Sequence, residues 1–523
     1  MVHSLFPSVP AFLLLLGIAV ESLCLATRFF LARPLPPFLK LIVWALRPWS
    51  LWAIFNLIFR WRWDQGFNNR QTFPFYANLW NPGEGFSEAI TRLSQSPVWI
   101  LWMSLSILIT LAIAGLLVWT LRSKPSRLWL SLPSLYVLAI ALHLSLASMP
   151  HGAWTDQGRS GSLLAAWNQP GSTMLHVMPH IQSTHDFLSR FLDIQPKLRS
   201  SIHGLSHPPF ASLSLDWIGQ VMGIQEKNIR LPEVRLRYAI GLTLFGALNL
   251  LILFFLGRSL FDSKTGFLTA VLWATAPAVS AYATFAQDSI YALFFNSALL
   301  FSWHVVHSQR RTLLWAILLG LDFFVLIFMN YSWCLATTLF ALFALATGIR
   351  HRWGIRDVAL RLLLPLTFMT LLATAFLAYF RLNYWAMYQY SNQFVIQWYP
   401  MSGIYQWTMA LIGGQFDLFL LLGSITTSAF ASTLIAHLRM SSLREPRVQF
   451  LFIVLFVYAL PLLFGPNCLK METARCWIWV ASLPLAFAAS RLLLMPHRIF
   501  MWATPIVSVL TYALMRLFLD FGA

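Results

Sequence analysis

The sequence is poor in charged residues, and poorest in acidic ones. Only 10% of its 523 residues are charged, and 18 Asp and Glu stand against 36 Lys and Arg. Soluble globular domains carry roughly 25% charged residues, so the composition excludes an ordinary soluble protein. Cysteine is scarce as well. Four cysteines are too few for a fold that depends on a disulfide framework.

Long apolar runs take the place of charge. Hydrophobic residues make up 58% of the chain, and they form runs of about 20 residues, enough to cross a hydrocarbon core ~30 Å thick. The predicted fold is an all-α polytopic membrane protein with about 14 transmembrane helices, centred on 11–30, 38–58, 98–120, 128–148, 236–256, 266–284, 289–306, 313–329, 332–348, 362–380, 416–436, 449–465, 476–490 and 500–517. The first run lacks a basic flank and a small-residue cleavage site, so we expect a retained span.

Basic residues predict how these spans are oriented. Cytoplasmic loops are enriched in Lys and Arg. If the span at 128–148 runs outward, one set of alternate loops holds 19 of the 36 Lys and Arg, at 28–40, 122–127, 257–264, 307–312, 349–361, 437–447 and 491–498. The net charge of +18 is then mostly a matter of topology. The sequence therefore predicts that the protein lies in a lipid bilayer and does not bind nucleic acid.

Two long polar stretches, 61–97 and 149–235, fall on the opposite, outer side. The second carries six of the thirteen histidines and six acidic residues. We expect an N-terminal membrane extension at 1–127, with about three spans and the 61–97 loop, and a transmembrane core at 128–523. A large outer loop early in this core, 149–235, favours an enzyme of the outer membrane surface over a pore, and we expect that loop to be catalytic.

Short motifs follow one another along this core. They are Thr155-Asp156-Gln157, His207-Pro208-Pro209-Phe210, Arg235-Leu236-Arg237, Pro277, Phe285-Ala286-Gln287-Asp288 and Glu472-Thr473-Ala474-Arg475. In order, spacing and outer-face placement the set resembles the GT-C superfamily of integral membrane glycosyltransferases, and within it the branch of aminoarabinose transferases and protein O-mannosyltransferases. Gln157 departs from that pattern, which has an acidic pair here, because an amide is neither a base nor an anionic ligand.

The resemblance implies a GT-C-like core and a glycosyltransferase that moves a sugar from a polyprenyl-phosphate donor to an acceptor hydroxyl at the outer face. Asp156 and Asp288 are the candidate catalytic residues. A carboxylate just above a span end is partly desolvated, which raises its pKa and suits a general base; Asp156 fits that role in a single inverting displacement. Asp288 could orient the acceptor. Each acid could instead only cap or pair at a helix end.

Cationic side chains of the outer loops are candidates for binding the donor phosphate, because guanidinium forks match phosphate oxygens. They are Arg159, His207, Arg235, Arg237 and Arg475. For each of them, attraction to anionic lipid headgroups is the alternative explanation.

A divalent metal, Mg, Mn or Zn, is the candidate cofactor. Asp156 could hold it together with the donor phosphate. His176 and His180 are four residues apart and could supply zinc or manganese ligands on one face of an α-helix. Pro179 lies between them and weakens the helix that this spacing assumes.

The stretch 384–407 is rich in Tyr and Trp. Aromatic faces stack on sugars and cover isoprenoid chains, which predicts a lid over the donor or an acceptor surface. The candidates are Tyr384, Trp385, Trp398 and Tyr399, together with Glu472. Anchoring at the membrane interface is the alternative explanation for the aromatic residues.

A polytopic transporter or lipid flippase is the second hypothesis for function. Asp322 within the 313–329 span and Glu21 within the first span favour it, because intramembrane acids are costly and often functional. The sequence shows no convincing internal repeat, a feature of many transporters. A membrane scaffold that binds partners through its outer loop is the third hypothesis.

The expected partners of an enzyme are a polyprenyl-phosphate-linked sugar and an acceptor lipid, glycan or protein. The outer loops have no convincing N-glycosylation acceptor, which favours a bacterial inner membrane over the endoplasmic reticulum. The active site would then face the periplasm or the exterior.

Overall fold

The structure is a computed structural model that describes residues 36–55, 97–123, 128–149, 174–198, 206–225, 231–284, 287–398, 421–438, 444–464 and 478–518, with single helical residues between 411 and 418. Within these ranges every regular element is a helix. The all-α prediction is therefore confirmed.

The helices of the first half comprise α1 to α10. They are α1 Pro37–Phe55, α2 Pro97–Arg122, α3 Leu128–Ala147, α4 Thr184–Ser189, α5 Phe191–Ile194, α6 Pro209–Val221, α7 Pro232–Ala247, α8 Asn249–Leu260, α9 Ser263–Thr275 and α10 Pro277–Tyr282. Short 3₁₀ helices at Met174–His180 and Gln195–Leu198 belong to the outer stretch 149–235.

The helices of the second half comprise α11 to α20. They are α11 Asp288–His307, α12 Thr312–Met329, α13 Trp333–His351, α14 Ile355–Val358, α15 Leu364–Phe380, α16 Tyr384–Trp398, α17 Ser424–His437, α18 Pro446–Phe464, α19 Ser482–Leu493 and α20 Ile499–Phe518. A π-helical turn, Ala359–Leu363, joins α14 to α15, and a 3₁₀ turn, Ile478–Ala481, precedes α19.

Eight helices of the described residues are long and apolar enough to cross a membrane, which supports an integral multi-pass membrane protein. Every predicted span from 38–58 onward contains a helix, and the first, 11–30, lies outside the described residues. The predicted number of about 14 spans is not confirmed, because several of these helices are short or interrupted. The run at 476–490, for example, divides into a 3₁₀ turn and α19.

The predicted span at 266–284 is broken in its middle. Proline lacks an N–H and forces the residue before it out of the helical region; Ala276 is extended, with φ −62° and ψ 130°, and Pro277 starts α10. The break frees carbonyls that must find partners in an apolar interior. Nε2 of buried His143 donates to the carbonyl of Ala274 at 2.8 Å and so satisfies one of them.

Close packing and a few polar contacts hold the central helices together. Helix α8 packs on α9, and α12 packs on both α11 and α15. At the first contact a Cβ on Gly266 would stand 2.4 Å from the Phe254 carbonyl, so only glycine lets the two backbones approach this closely. Nδ2 of Asn296 donates to Oδ1 of Asn249 at 2.7 Å, and the Ser482 hydroxyl donates to Asn296 Oδ1.

The described part of the stretch 149–235 is folded against these helices. Helix α6 packs on α7 and α12, and most of its residues are buried, Asp216 among them. Phe210 at its start contacts the rings of Phe324, Phe328 and Phe376 at centroid distances of 5.3 to 6.1 Å. The segment after the His-Pro-Pro motif is therefore part of the helical bundle, and it brings that motif to the bundle.

Candidate functional site

The structure brings the His-Pro-Pro motif to the start of α11. The rings of His207 and Tyr291 are stacked, with centroids 5.3 Å apart and planes 16° from parallel. Tyr291 lies three residues after Asp288, on the same side of the first turn of the helix. Two motifs that are far apart in the sequence thus meet beside one carboxylate. We name His207, Ser214, Gln287, Asp288 and Tyr291 the 207–291 cluster.

Gln287 is the centre of this cluster. Its Nε2 donates to the Ala211 carbonyl at 2.5 Å and to Oγ of Ser214 at 3.1 Å, and its Oε1 accepts from the Tyr291 hydroxyl at 3.3 Å. The side chain is buried, where each of these bonds also removes the cost of an unsatisfied amide. Gln287 therefore fixes α6, which follows the His-Pro-Pro motif, against α11.

Asp288 is the first residue of α11 and not its N-cap. The N-cap is Gln287, whose side chain makes no capping hydrogen bond. A carboxylate in the first turn still interacts favourably with the helix dipole. Asp288 is partly exposed, so its carboxylate can meet a ligand from outside.

The 207–291 cluster is recessed below the start of α7. A Cβ on Gly246 would stand 2.6 Å from Oγ of Ser289, so the start of α11 lies beside the C-terminal end of α7. From there to Pro232, at the beginning of α7, the helix runs for roughly 20 Å. The cluster therefore lies beside the middle residues of the apolar segment Glu233–Leu260.

The structure places Arg237 away from this cluster. Its Nη1 donates to the Gly223 carbonyl at 3.1 Å, just beyond the C-terminal end of α6. Ala211, which is bonded to Gln287, lies at the other end of α6, ~18 Å along the helix axis. Arg235, on the same first half of α7, is buried. Of the predicted phosphate ligands among the described residues, only His207 lies in the 207–291 cluster.

The predicted aromatic lid is an ordered helix, α16, over most of its length. The hydroxyl of Tyr384 donates to the Ile327 carbonyl at 3.1 Å and accepts from Nε1 of Trp333 at 2.8 Å. Trp385, the next residue, is 64% exposed. Tyr384 thus holds α16 to the ends of α12 and α13, while Trp385 remains available to a ligand or to lipid. Trp398 is the last residue of this helix.

A second set of contacts ties α16 to the outer stretch. Nε2 of buried Gln195 donates to the Met387 carbonyl at 3.3 Å and to Oγ of Ser391 at 3.2 Å, and Ser391 donates to the Tyr331 hydroxyl at 3.3 Å. Burial raises the pKa of Tyr331 to about 12. This phenol is therefore neutral at physiological pH and cannot serve as a base.

The ring of Phe328 connects the two sets of contacts. It lies 5.4 Å from Phe210, three residues after His207, and 6.1 Å from Tyr384. Burial, with Tyr331 nearby, also raises the pKa of Tyr384 above its ordinary value. The 207–291 cluster and α16 are thus separated by one layer of aromatic side chains. They form one region of the molecule that offers an acid, an imidazole and exposed indole.

The paired-histidine metal site is not supported by the backbone. His176 and His180 lie in the 3₁₀ helix Met174–His180, where residues three apart share a face and residues four apart do not. Pro179 lies inside this 3₁₀ helix, and a proline at such a position weakens an α-helix. The described residues contain no group of three or more His, Cys, Asp or Glu side chains placed to hold a metal ion.

Several predicted site residues lie outside the described residues. They are Asp156, Arg159, Tyr399, Glu472 and Arg475. Their roles stay predictions.

Residue patterns did not point to five residues of this region: Gln195, Ser214, Gln287, Tyr291 and Tyr331. Gln287 stands beside Asp288 in a motif that was noticed for its acid. A buried polar residue next to a candidate acid is the signal that could have drawn attention to it. Gln195 and Tyr331 carry no comparable signal, because their partners come from distant segments.

Comparison with known proteins gives structural likenesses only. No protein-family model and no curated protein matches the sequence. The structure is similar to the crystal structure of the Archaeoglobus fulgidus oligosaccharyltransferase in complex with Zn and sulfate, at 12% identity and a TM-score of 0.39, over 73% of this chain and 53% of that one. It is also similar to ArnT from Cupriavidus metallidurans in the apo state, at 14% identity and a TM-score of 0.33, over 76% of this chain and 77% of that one.

Both matched proteins are membrane glycosyltransferases of the GT-C superfamily. This chain spans about half the length of the archaeal enzyme. At these TM-scores the likenesses carry no residue assignments, so the function is argued from the side chains of this chain.

Proposed function

We propose that this chain is a polyprenyl-phosphate-dependent glycosyltransferase, a hexosyl- or pentosyltransferase that works at the outer face of the membrane. The contact between the His-Pro-Pro motif and the start of α11 supports this most directly. His207 stacks on Tyr291, and Gln287 bonds to the segment after that motif, beside the carboxylate of Asp288. A transferase needs such a meeting of an acid and a cationic or hydrogen-bonding group at one place.

The reaction proposed is a single inverting displacement. The acceptor hydroxyl oxygen attacks the anomeric carbon of the donor sugar, and the bond from that carbon to the phosphate oxygen breaks. The hydroxyl proton passes to the carboxylate of Asp156, and the polyprenyl phosphate leaves as an anion without needing a general acid. General bases of this kind typically contribute 10²- to 10⁴-fold to the rate.

The other predicted residues take supporting roles in this proposal. Asp288 orients the acceptor hydroxyl. His207 binds the donor phosphate, with Arg159, Arg235, Arg237 and Arg475 as further candidates. Trp385 and Tyr384 of α16, with Trp398, Tyr399 and Glu472, form the acceptor surface or the cover of the donor. A divalent ion, Mg, Mn or Zn, would bind between Asp156 and the phosphate and neutralise the leaving charge.

A lipid-linked donor suits the position of the cluster. The start of α11 lies roughly 20 Å along the axis of α7 from the start of that helix, among helices apolar enough to cross a membrane. A donor anchored by an isoprenoid chain can enter such a site from the bilayer. A bacterial inner membrane, with the site facing the periplasm, and a lipid, glycan or protein acceptor complete the proposal.

The test is transfer activity in vesicles supplied with a panel of radiolabelled polyprenyl-phosphate sugars. We expect Asp156→Asn to lose at least 100-fold in rate and Asp288→Asn to lose less, with melting temperatures unchanged. Asp193→Asn is the matched control, because this acid is exposed in the same outer stretch. Full activity of Asp156→Asn would remove that residue from the mechanism, and absence of transfer from every donor by the unaltered protein would contradict the proposed function.

Transport is the second candidate function, and one observation favours it. Asp322 is buried within α12, and its Oδ2 has no hydrogen-bond partner among the described residues. An acid at that depth is costly to keep unless it serves a function. Uptake of a polyprenyl phosphate into vesicles that Asp322→Asn abolishes, without sugar transfer, would favour a flippase over the transferase.

A further inference from the structure

A groove open to the surroundings runs between α2 and α20. Its volume is about 910 Å³, and its walls include Gly115, Val118 and Trp119 of α2 with Trp502 and Ile506 of α20. Arg122 and Ser123 close one end. This end belongs to the loop 122–127, which the distribution of basic residues predicts to be cytoplasmic. The residues that line the groove are distant in sequence from the 207–291 cluster. They belong to helices that the proposed reaction does not use.

The walls of the groove are suited to an alkyl chain. A Cβ on Gly115 would meet no atom within 4 Å, so the floor of the groove is open at that residue. The side chains of Leu111, Val118 and Ile506 add only hydrocarbon surface. Two indoles, Trp119 at 42% and Trp502 at 41% exposure, flank it. Tryptophan favours the headgroup level of a bilayer.

The closed end of the groove is suited to an anion. Arg122 is exposed and makes no ion pair or side-chain hydrogen bond with the described residues. The adjoining sequence adds Lys124 and Arg127 without an acid. Ser123 donates its hydroxyl to the Trp119 carbonyl at 2.8 Å, which leaves its oxygen free to accept only. The positive side chain of Arg122 therefore selects a negative headgroup.

We propose that this groove binds an anionic phospholipid of the cytoplasmic leaflet, with an acyl chain along Gly115 and Ile506 and the phosphate at Arg122. The chain's own apolar run at 11–30 is a poor occupant by charge. Arg28 and Arg33 follow it on the same predicted side, and they would place like charges beside Arg122. A lipid phosphate carries the negative charge that would pair with Arg122, and it lies at the headgroup level of the bilayer.

The experiment uses the full chain in phosphatidylcholine vesicles that contain a trace of phosphatidylglycerol with a photoactivatable acyl chain. Labelled peptides are identified by mass spectrometry. We expect label in residues 111–119 and 502–506. Gly115→Leu fills the open floor and should reduce this label several-fold, and it should not unfold α2, because leucine is a better helix former than glycine.

Ala112→Leu is the matched control, because Ala112 is exposed on the same helix and does not line the groove. It should leave the label unchanged. Arg122→Gln should reduce labelling by the anionic lipid about five-fold, the effect of one basic side chain at a membrane surface, and leave a zwitterionic analogue unaffected.

Three results would overturn the proposal. Equal labelling by the zwitterionic analogue in the unaltered protein would show a non-selective lipid contact. Labelling that Gly115→Leu does not change would place the lipid elsewhere. Cross-links from the Gly115→Cys variant to residues 11–30 would show that the chain itself fills the groove.

Discussion

Helices α11 and α2 are both apolar enough to cross a membrane, yet they lie in different surroundings. In the most apolar 18 residues of α11, 72% are buried in the protein, against 28% for α2. The helix with the higher mean hydropathy, α2, is the one with the smaller buried share. Hydropathy thus predicts that a segment enters the membrane and does not predict what it meets there.

The polar side chains explain the difference. On α11, Gln287 bonds to α6, and Asn296 bonds to Asn249 of α8 and Ser482 of α19. On α2, the side-chain bonds from Ser106 to Ser145 and from Thr120 to Ser131 reach one and the same neighbour, α3. Since lipid gives no hydrophobic reason for two helices to associate, polar contacts and close packing decide which helix becomes central.

The strongest test of this comparison is Asn296→Leu. It leaves Oδ1 of Asn249 without its donor in an apolar interior, and we expect the free energy of unfolding to fall by about 2 kcal/mol. Unfolding in mixed micelles measures it. Ser297→Ala on the same helix is the control, because that hydroxyl donates only to the Leu293 carbonyl of α11. Equal losses of unfolding free energy in the two variants would show that the contacts of Asn296 with other helices do not stabilise the protein more than a bond within α11.

A second test on α11 asks whether Gln287 is needed for sugar transfer and not for membrane insertion. Gln287→Leu removes the bonds to Ala211 and Ser214 and so loosens α6 against α11. We expect transfer to slow roughly tenfold or more through misplacement of His207, with membrane insertion intact. Gln225→Ala, at an exposed position beyond α6, should change nothing. If Gln287→Leu transfers sugar at the normal rate, the 207–291 cluster is not the site.

The smallest effect is expected on α2. Oγ of Ser106 lies 2.8 Å from Oγ of Ser145 on α3, a polar link between the two helices. Ser145 also donates to the Leu142 carbonyl at 2.8 Å, so Ser106→Ala leaves it satisfied. The expected loss is about 0.6 kcal/mol or less, typical of such bonds in membranes. A loss of unfolding free energy as large as that of Asn296→Leu would show that polar contacts stabilise α2 as strongly as α11.

Residue patterns predicted the helical elements well, since every predicted span from 38–58 onward contains a helix. They did not predict the interruption before Pro277 or the division at 476–490, because apolar composition is the same on both sides of a break. The pairing of His176 with His180 stays a prediction, although the backbone departs from the spacing that it assumed. Four-residue spacing was taken as α-helical, and the chain there is 3₁₀.

Part of the 207–291 cluster was predicted from the sequence. His207 and Asp288 were chosen from motifs, and the structure places both in the 207–291 cluster. Arg237 was chosen by the same logic and instead bonds to the Gly223 carbonyl. Sequence order alone could not show that His207 lies in the cluster and Arg237 does not. The distance of Arg237 from the cluster depends on the direction in which α6 runs along α7.

The sequence by itself determined that this chain is a helical membrane protein, because the cost of exposing backbone polar groups to lipid leaves a long apolar run no alternative to a helix. Only the tertiary structure decided that α11 is central and α2 peripheral, that Gln287 joins the His-Pro-Pro segment to α11, and that a groove lies beside Gly115. Those facts depend on hydrogen bonds and close contacts between residues far apart in the sequence, and no local pattern encodes such distances.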